Sequence, residues 1–319
     1  MSKGTNLQYE YFSSVTQRKV EWLWYPYIPY GKLTVLQGDP GEGKSTFILN
    51  VAALLTQGKG MPGSQHVSKP QRVVYQTAED NLADTVKPRL LAAGADCNQI
   101  AYIIDDGTLT LEDSRIEEII QKTNARLFIL DPLQAYLPQG SDMFSAGRIR
   151  QQLQHLSDLA ARNRCAVVII GHMNKASGEK NLYRGLGSID IAATARSVLM
   201  ITRDRNNPEI RYMFPVKSSL APEGPTIAFT LEPKSGLRWL GVCDIDKKQL
   251  EDPAISENKS ELATRMIIEI LQDGDLPGAN VLKKLKLMGI SERTINSAKK
   301  TVGVTSYKKD NAWFWHLNK

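Results

Sequence analysis

The chain has 319 residues, of which 42% are hydrophobic, with 40 Lys and Arg against 34 Asp and Glu for a net charge of +6. Such a length suggests about two domains with ample apolar material for a core, and the mild basic excess permits contact with nucleic acid without demanding it. Cys97, Cys165 and Cys243 form no C-x-x-C pair, the N-terminus carries no apolar leader, and no run reaches the roughly 18 apolar residues of a bilayer span; a disulfide framework, a zinc site and a membrane protein are disfavoured, and a cytoplasmic protein is expected.

Residues 11–32 concentrate Trp22, Trp24, Tyr25, Tyr27 and Tyr30 with two prolines, too irregular for a helix. Packing over the first strand is expected, with stacking under a nucleotide base as the alternative. Residues 33–37 then read as a buried strand, and Phe47, Ile48, Val51, Leu54 and Leu55 recur at helical spacing. Between strand and helix runs Gly38, Asp39, Pro40, Gly41, Glu42, Gly43, Lys44, Ser45, with Thr46 following, which is G-x-x-x-x-G-K-[ST] without a mismatch. Glycines let the backbone approach an anion closely, and the free N–H groups of the helix start point at negative charge. Lys44 is expected to reach the β- and γ-phosphates of a nucleotide, and the Ser45 hydroxyl to ligate Mg²⁺. A glycine-rich turn with a chance lysine is the plain alternative, and the flanking strand and helix argue against it.

After a polar crossover, residues 72–76 read as a second strand that ends in Thr77, Ala78, Glu79 and Asp80. A carboxylate just past a strand's C-terminal end sits on the ligand edge of an open parallel sheet. Glu79 is therefore the candidate to polarise an attacking water, and Asp80, ahead of Thr77, the expected cap of a helix over residues 82–93. Residues 101–104 read as a short strand and 113–123 as an amphipathic surface helix. Residues 127–130, closed by Asp131, have the form of a Walker B strand, whose carboxylate holds the Mg²⁺ already bound through Ser45.

Residues 138–146 read as a loop, 148–164 as a helix and 166–170 as another buried strand, which leads to His172. His172 is a candidate sensor of the γ-phosphate, with a satisfied structural histidine as the alternative. The polar, glycine-containing stretch that follows carries Lys175, Lys180 and Arg184, which suit contact with a nucleic-acid backbone, although a solvated loop would look similar. Residues 198–202, 210–216 and 226–231 resume the sheet, with Lys217 directly after a strand.

The pattern divides the chain into an N-terminal aromatic segment (1–30), an α/β domain (31–243), a linker (244–258) and a small C-terminal domain (259–319). In the last, helices over 261–271, 281–287 and 291–300 precede strands over 304–307 and 312–317, the elements of a winged helix-turn-helix. Residues 256–319 hold 11 Lys or Arg against 7 Asp or Glu. The third helix would offer Arg293, Asn296, Lys299 and Lys300 to DNA, and Lys308 and Lys309 would sit on the wing tip beside phosphates; docking to a protein is the alternative.

The runs WLWYPYIPYGKLTVLQGDPGEGKST, VVYQTAED, LFILDPLQAYL, VVIIGHMNK, RGLGSIDIAATARSVLMI and PVKSSLAPEG together resemble the RecA-like ATPases of the RepA and DnaB-type hexameric helicase group. They are most similar to the stand-alone AAA-family ATPases of phages, prophages and plasmids, over about residues 20–235. The tail from Leu287 resembles the helix-turn-helix often fused to them. The resemblance implies a RecA-like P-loop core with a mostly parallel central sheet, ATP with Mg²⁺, and a homo-oligomeric, hexameric ring whose sites lie between subunits. By position it makes Glu79 the activator of water, Asp131 the Walker B aspartate, His172 the polar sensor and Lys217 the lysine that a neighbouring subunit points at the γ-phosphate. Where DnaB-type proteins carry an arginine two residues later, this chain has Ser219, so Arg184 or, in preference, Arg196 is the candidate trans finger. The expected function is an oligomeric DNA motor, helicase or helicase-like, in replication or recombination of a mobile element, with single-stranded DNA at the core and replication proteins as partners. An ATP-switched DNA-binding or loader adaptor is the alternative, and a P-loop kinase of a small metabolite is disfavoured by the lack of a recognisable lid and by the tail.

Overall fold

Apolar runs at residues 33–38, 73–77 and 127–131 are each followed by a segment of helical periodicity, and strands joined through helices pair in parallel. The computed structural model of the protein describes residues 8–64, 69–137, 146–172, 189–204, 207–232, 236–245, 259–272, 274–287, 290–309 and 312–317. The chain forms two compact units, Met1–Lys247 and Lys248–Lys319.

In the first unit β1 (Trp22–Trp24) and β2 (Ile28–Pro29) make a small hairpin ahead of β3 (Leu33–Gly38) and α1 (Lys44–Thr56). There follow β4 (Val73–Thr77), one π-helical turn (Leu82–Val86) running into α2 (Lys87–Ala92), β5 (Ile100–Ala101), α3 (Ser114–Thr123) and β6 (Leu127–Asp131). The unit continues with α4 (Ala146–Asn163), β7 (Ala166–His172), α5 (Ile189–Thr194), β8 (Ser197–Arg203), β9 (Ile210–Ser218), β10 (Thr226–Glu232) and β11 (Gly236–Cys243). Nine strands form one sheet in the order β11-β10-β9-β8-β3-β7-β6-β4-β5. From β8 to β5 the pairings are parallel, and β9, β10 and β11 add an antiparallel meander. The α/β class with a mostly parallel sheet is the one the alternating pattern leads one to expect.

Strand residues alternate between two cores, as a pleated sheet covered on both faces requires. Leu36, Tyr75, Ile129, Val168 and Ile170 face one cluster with Phe47, Val51 and Leu55 of α1. Val35, Val74, Phe128, Leu130, Val167 and Ile169 face the other, with Ile116 and Ile120 of α3 and Leu153, Leu156 and Leu159 of α4.

One expectation is met with its alternative set aside, one is corrected, and one strand is new. Trp24 and Tyr27 pack beside α1, with Trp24 stacked on Phe47 at 6.1 Å between ring centroids, and at 1% and 2% exposure they are too enclosed to stack a base. The cap after β4 is Asn81, whose side chain accepts from the N–H groups of Ala83 and Asp84, while Asp80 instead pairs with Arg89 at 2.6 Å. The unforeseen β11 is an edge strand whose outward Leu240 and Val242 are exposed, so burial imposes little pattern on its sequence.

The second unit holds α6 (Lys259–Leu271), β12 (Leu276–Pro277), α7 (Gly278–Leu287), α8 (Glu292–Thr301), β13 (Val304–Lys309) and β14 (Ala312–Leu317). The Ser291 side chain caps α8 by accepting from the Thr294 N–H. A three-stranded sheet, β12-β14-β13, and the three helices enclose Ala263, Ile267, Val281, Leu285, Ile295 and Trp315. Trp313 shares a strand face with Trp315 yet is 61% exposed against 5%, because it stands at the far end of the hairpin.

Candidate nucleotide site

The C-terminal ends of four parallel strands converge on one edge of the sheet. Gly38 is in register with His172, and Thr77 with Asp131, so β3, β7, β4 and β6 all deliver site residues to the same end. The loop after β3 is shaped by its glycines. A Cβ at Gly38 would collide with the backbone carbonyl oxygen of Ile201 in β8, and Gly43, at φ 88°, caps α1 in the left-handed region against Leu231. Gly41 also lies in the left-handed region, at φ 81°, and faces open space, while Asp39 and Pro40 are exposed.

Lys44 is 5% exposed and donates to the carbonyl oxygens of Gly38 at 2.8 Å and Asp39 at 2.9 Å. Burial draws its pKa below the ordinary lysine value, and the carboxylates of Asp131, Asp39, Glu42 and Glu79 oppose that shift. Asp131 is 4% exposed; its carboxylate accepts from the Tyr75 hydroxyl at 2.7 Å and has the Ser45 side chain beside it. Burial raises the Asp131 pKa, the neighbouring Ser45 and Tyr75 hydroxyls lower it, and Asp80 and Glu79 raise it further. Glu79 lies exposed at the turn after β4, where the Thr77 hydroxyl accepts from the N–H groups of Glu79 at 3.4 Å and Asp80 at 3.3 Å.

Two arginines were not anticipated. Arg203, at the end of β8, donates to the Gly41 carbonyl at 3.2 Å and stands 3.6 Å from the Glu42 carboxylate. Arg211 of β9 is 8% exposed, and its charge and that of Arg203 both lower the Glu42 pKa that burial raises. The phosphate loop is thus braced from the antiparallel side of the sheet. No motif signals this, because the pairing depends on which strand lies next to β3.

The trans candidates lie elsewhere. Lys217 pairs with Val198 and Arg196 directly precedes β8, so both sit at the opposite end of the sheet from their own loop. The Lys217 ammonium donates to the carbonyl oxygens of Ala192, Ala193 and Ala195 at 2.7–3.1 Å, closing the end of α5, while the Arg196 side chain is exposed. The backbone of His172 ends β7 beside Gly38, but its side chain lies outside the described residues, as do Lys175, Lys180 and Arg184. In the second unit Arg293, Asn296, Lys300, Lys308 and Lys309 are exposed. Lys299 is turned inward, 2.5 Å from the Ser306 hydroxyl and 4.5 Å from the centre of the Trp315 ring.

Residues 6–178 match the family model described as an AAA domain. The chain belongs to the AAA domain family. Its matched part includes the phosphate loop, Glu79, Asp131 and His172, and it ends before Arg196, Lys217 and the second unit. Among curated proteins, the AAA domain chain is 29% identical over 153 residues to the DNA repair protein RadA of Synechocystis sp., a match covering 46% of this chain and 29% of that protein. It is 28% identical over 147 residues to the DNA repair protein RadA of Streptococcus pneumoniae, covering 46% and 31%. The matches thus span less than a third of those relatives' length. Among solved structures the ATPase domain of G40P superposes with a TM-score of 0.51 at 14% identity, over 66% of this chain and 85% of that one, and the shared fold is the RecA-like P-loop fold.

The donor set suits a metal-bound nucleoside triphosphate. A cradle that a Cβ would fill, a lysine held inside it and a hydroxyl–carboxylate pair beside it are the features such a ligand needs.

Proposed function

We propose that this AAA domain protein hydrolyses ATP with Mg²⁺ as a homo-oligomeric, ring-forming machine acting on DNA, helicase or helicase-like, in replication or recombination of a mobile element. One observation carries the reading: Lys44, the Ser45–Asp131 pair and Glu79 converge at one sheet edge around a glycine cradle. The loop from Gly38 to Thr46 would hold the phosphates, and Ser45 and Asp131 would hold Mg²⁺. When bound, the metal neutralises phosphate charge and fixes the orientation of the chain it bridges. Lys44 turns from the carbonyls of Gly38 and Asp39 to the phosphates, and Glu79 orients and polarises the attacking water. His172 is assigned to sensing the γ-phosphate.

A ring is supported by the separation of Lys217 and Arg196 from their own loop, since at the far end of the sheet they can serve only a neighbour's. Arg184 is the remaining finger candidate. The similarity to the DNA repair protein RadA supports DNA as the polymer, with Lys175 and Lys180 as core contacts and replication proteins as further partners. In the second unit the exposed Arg293, Asn296 and Lys300 on one helix, with Lys308 and Lys309 on the hairpin, support a winged helix-turn-helix that binds duplex DNA.

ATP turnover measured with and without single-stranded DNA, alongside the mass in solution, tests the reading. DNA-stimulated turnover by an oligomer is expected; a monomer whose turnover ignores DNA would refute it. Arg196→Ala and Lys217→Ala are expected to suppress turnover with ATP binding retained, and wild-type turnover in both would remove the trans-finger assignment. A second reading, an ATP-switched adaptor that never unwinds, is favoured by Ser219 and by the three carbonyls that engage Lys217. Strand displacement by the purified protein separates the two.

A further inference from the structure

A tyrosine that no phosphate-loop motif includes holds the buried carboxylate of the site, and it lies on the strand that ends in the turn carrying Glu79. Tyr75 lies in β4 and is 2% exposed. Its hydroxyl donates to Oδ2 of Asp131 at 2.7 Å, and Thr77, two residues on, shares its strand face. The Thr77 oxygen accepts from the N–H groups of Glu79 and Asp80 at 3.4 and 3.3 Å. The backbone repeats the tie, since the Ala78 N–H donates to the Asp131 carbonyl oxygen at 3.2 Å. One strand therefore carries both the donor to the buried carboxylate and the threonine that fixes the turn of Glu79.

The ring of Tyr75 is held by packing, which makes its hydroxyl a fixed donor. It stands in the core cluster with Ile129, Leu82, Val86 and Leu90, and it forms part of the wall of a cavity of about 350 Å³ shared with Cys97 and Tyr102. The cavity wall is mostly apolar, so Asp131 is the carboxylate this hydroxyl meets. A donor committed to Oδ2 fixes the rotation of the Asp131 carboxylate about its χ2 torsion, which is otherwise broad, and leaves Oδ1 as the oxygen open to a cation.

We propose that Tyr75 is a positioning residue of the ATPase site, holding Asp131 in the orientation that receives the metal, while Thr77 on the same strand face holds the turn that presents Glu79. The proposal rests on the reading of Ser45 and Asp131 as the metal-holding pair. A partner behind a metal-binding carboxylate is commonly worth about 10- to 100-fold in metal affinity.

The test is Mn²⁺ binding to the full chain in the presence of ADP, followed by electron paramagnetic resonance, in the wild type, Tyr75→Phe and Thr77→Val. Tyr75→Phe keeps the ring that fills the core and is expected to weaken Mn²⁺ binding about 10- to 100-fold, while ADP binding in EDTA stays at the wild-type level. Thr77→Val keeps the shape and is expected to leave Mn²⁺ binding within about threefold of wild type while lowering kcat for ATP, because it releases only the Glu79 turn. Equal Mn²⁺ affinity in wild type and a folded Tyr75→Phe would overturn the proposal with the metal site intact. Loss of ADP binding in EDTA by Tyr75→Phe would assign the residue to packing and overturn it as well. Failure of the wild type to bind Mn²⁺ with ADP would overturn the reading of the site itself, and this inference with it.

Discussion

The nucleotide edge of the first unit and the basic surface of the second present charge in opposite ways. At the edge Lys44 and Asp131 are nearly enclosed, each held by named partners and each with a pKa moved by burial. On the second unit Arg293, Lys300, Lys308 and Lys309 stand in solvent. A buried, preorganised charge acts through one geometry, so its loss should be close to all-or-none. Exposed cations act additively on a polyanion and are screened by salt, so their loss should be graded.

The largest effect is expected at Lys44. Lys44→Ala should lower ATP turnover by about 10²- to 10³-fold or more, measured by phosphate release, and a loss of only a few-fold would break the contrast. Gly38→Ala comes next, because the added Cβ meets the Ile201 carbonyl, a backbone atom that cannot turn aside. It should cost about 1–3 kcal/mol in thermal unfolding and loosen nucleotide binding. Arg203→Ala releases the Gly41 carbonyl and Glu42 and should raise KM for ATP a few-fold with kcat little changed, which would show the brace to be part of the preorganised edge.

On the other side of the comparison, Lys308→Ala with Lys309→Ala should reduce the salt slope of DNA binding by about two, uniformly across sequences; an unchanged slope would assign the hairpin to protein docking. The smallest effect concerns Asp275, whose carboxyl is held below its usual pKa by hydrogen bonds from His316 and Tyr307. A depressed carboxyl contributes its stability in full above the unfolded value of about 4 and loses it as pH falls through the folded value. Asp275→Asn should therefore flatten the acid limb of the melting temperature against pH while leaving neutral behaviour nearly unchanged.

The parallel half of the sheet was readable because both its faces are covered, and a strand buried on both sides must be written as an unbroken apolar run. The phosphate loop was readable because left-handed backbone at positions such as Gly41 and Gly43 leaves few alternatives to glycine. β11 escaped because it is an edge strand buried only in part, with Leu240 and Val242 exposed on one face and Leu237 and Trp239 half-buried on the other. Arg203, Arg211 and Tyr75 escaped for a different reason: their partners lie on neighbouring strands far off in sequence, and nothing local marks a side chain that serves a distant loop. Lys299 reads as a surface cation by spacing, yet its ammonium lies over the Trp315 ring, which only the fold of the hairpin reveals.

The stacking of Trp24 on Phe47 gives the molecule an optical handle. Phe47 follows Lys44 by three residues on α1, and its ring also meets Trp239 of β11 at 5.2 Å between centroids. The enclosed Trp24 and the half-buried Trp239 therefore flank the helix whose first turn carries Lys44. A tilt of that helix when the loop closes on a ligand would change the surroundings of both fluorophores at once, which would give the proposed nucleotide binding an intrinsic emission signal that needs no label.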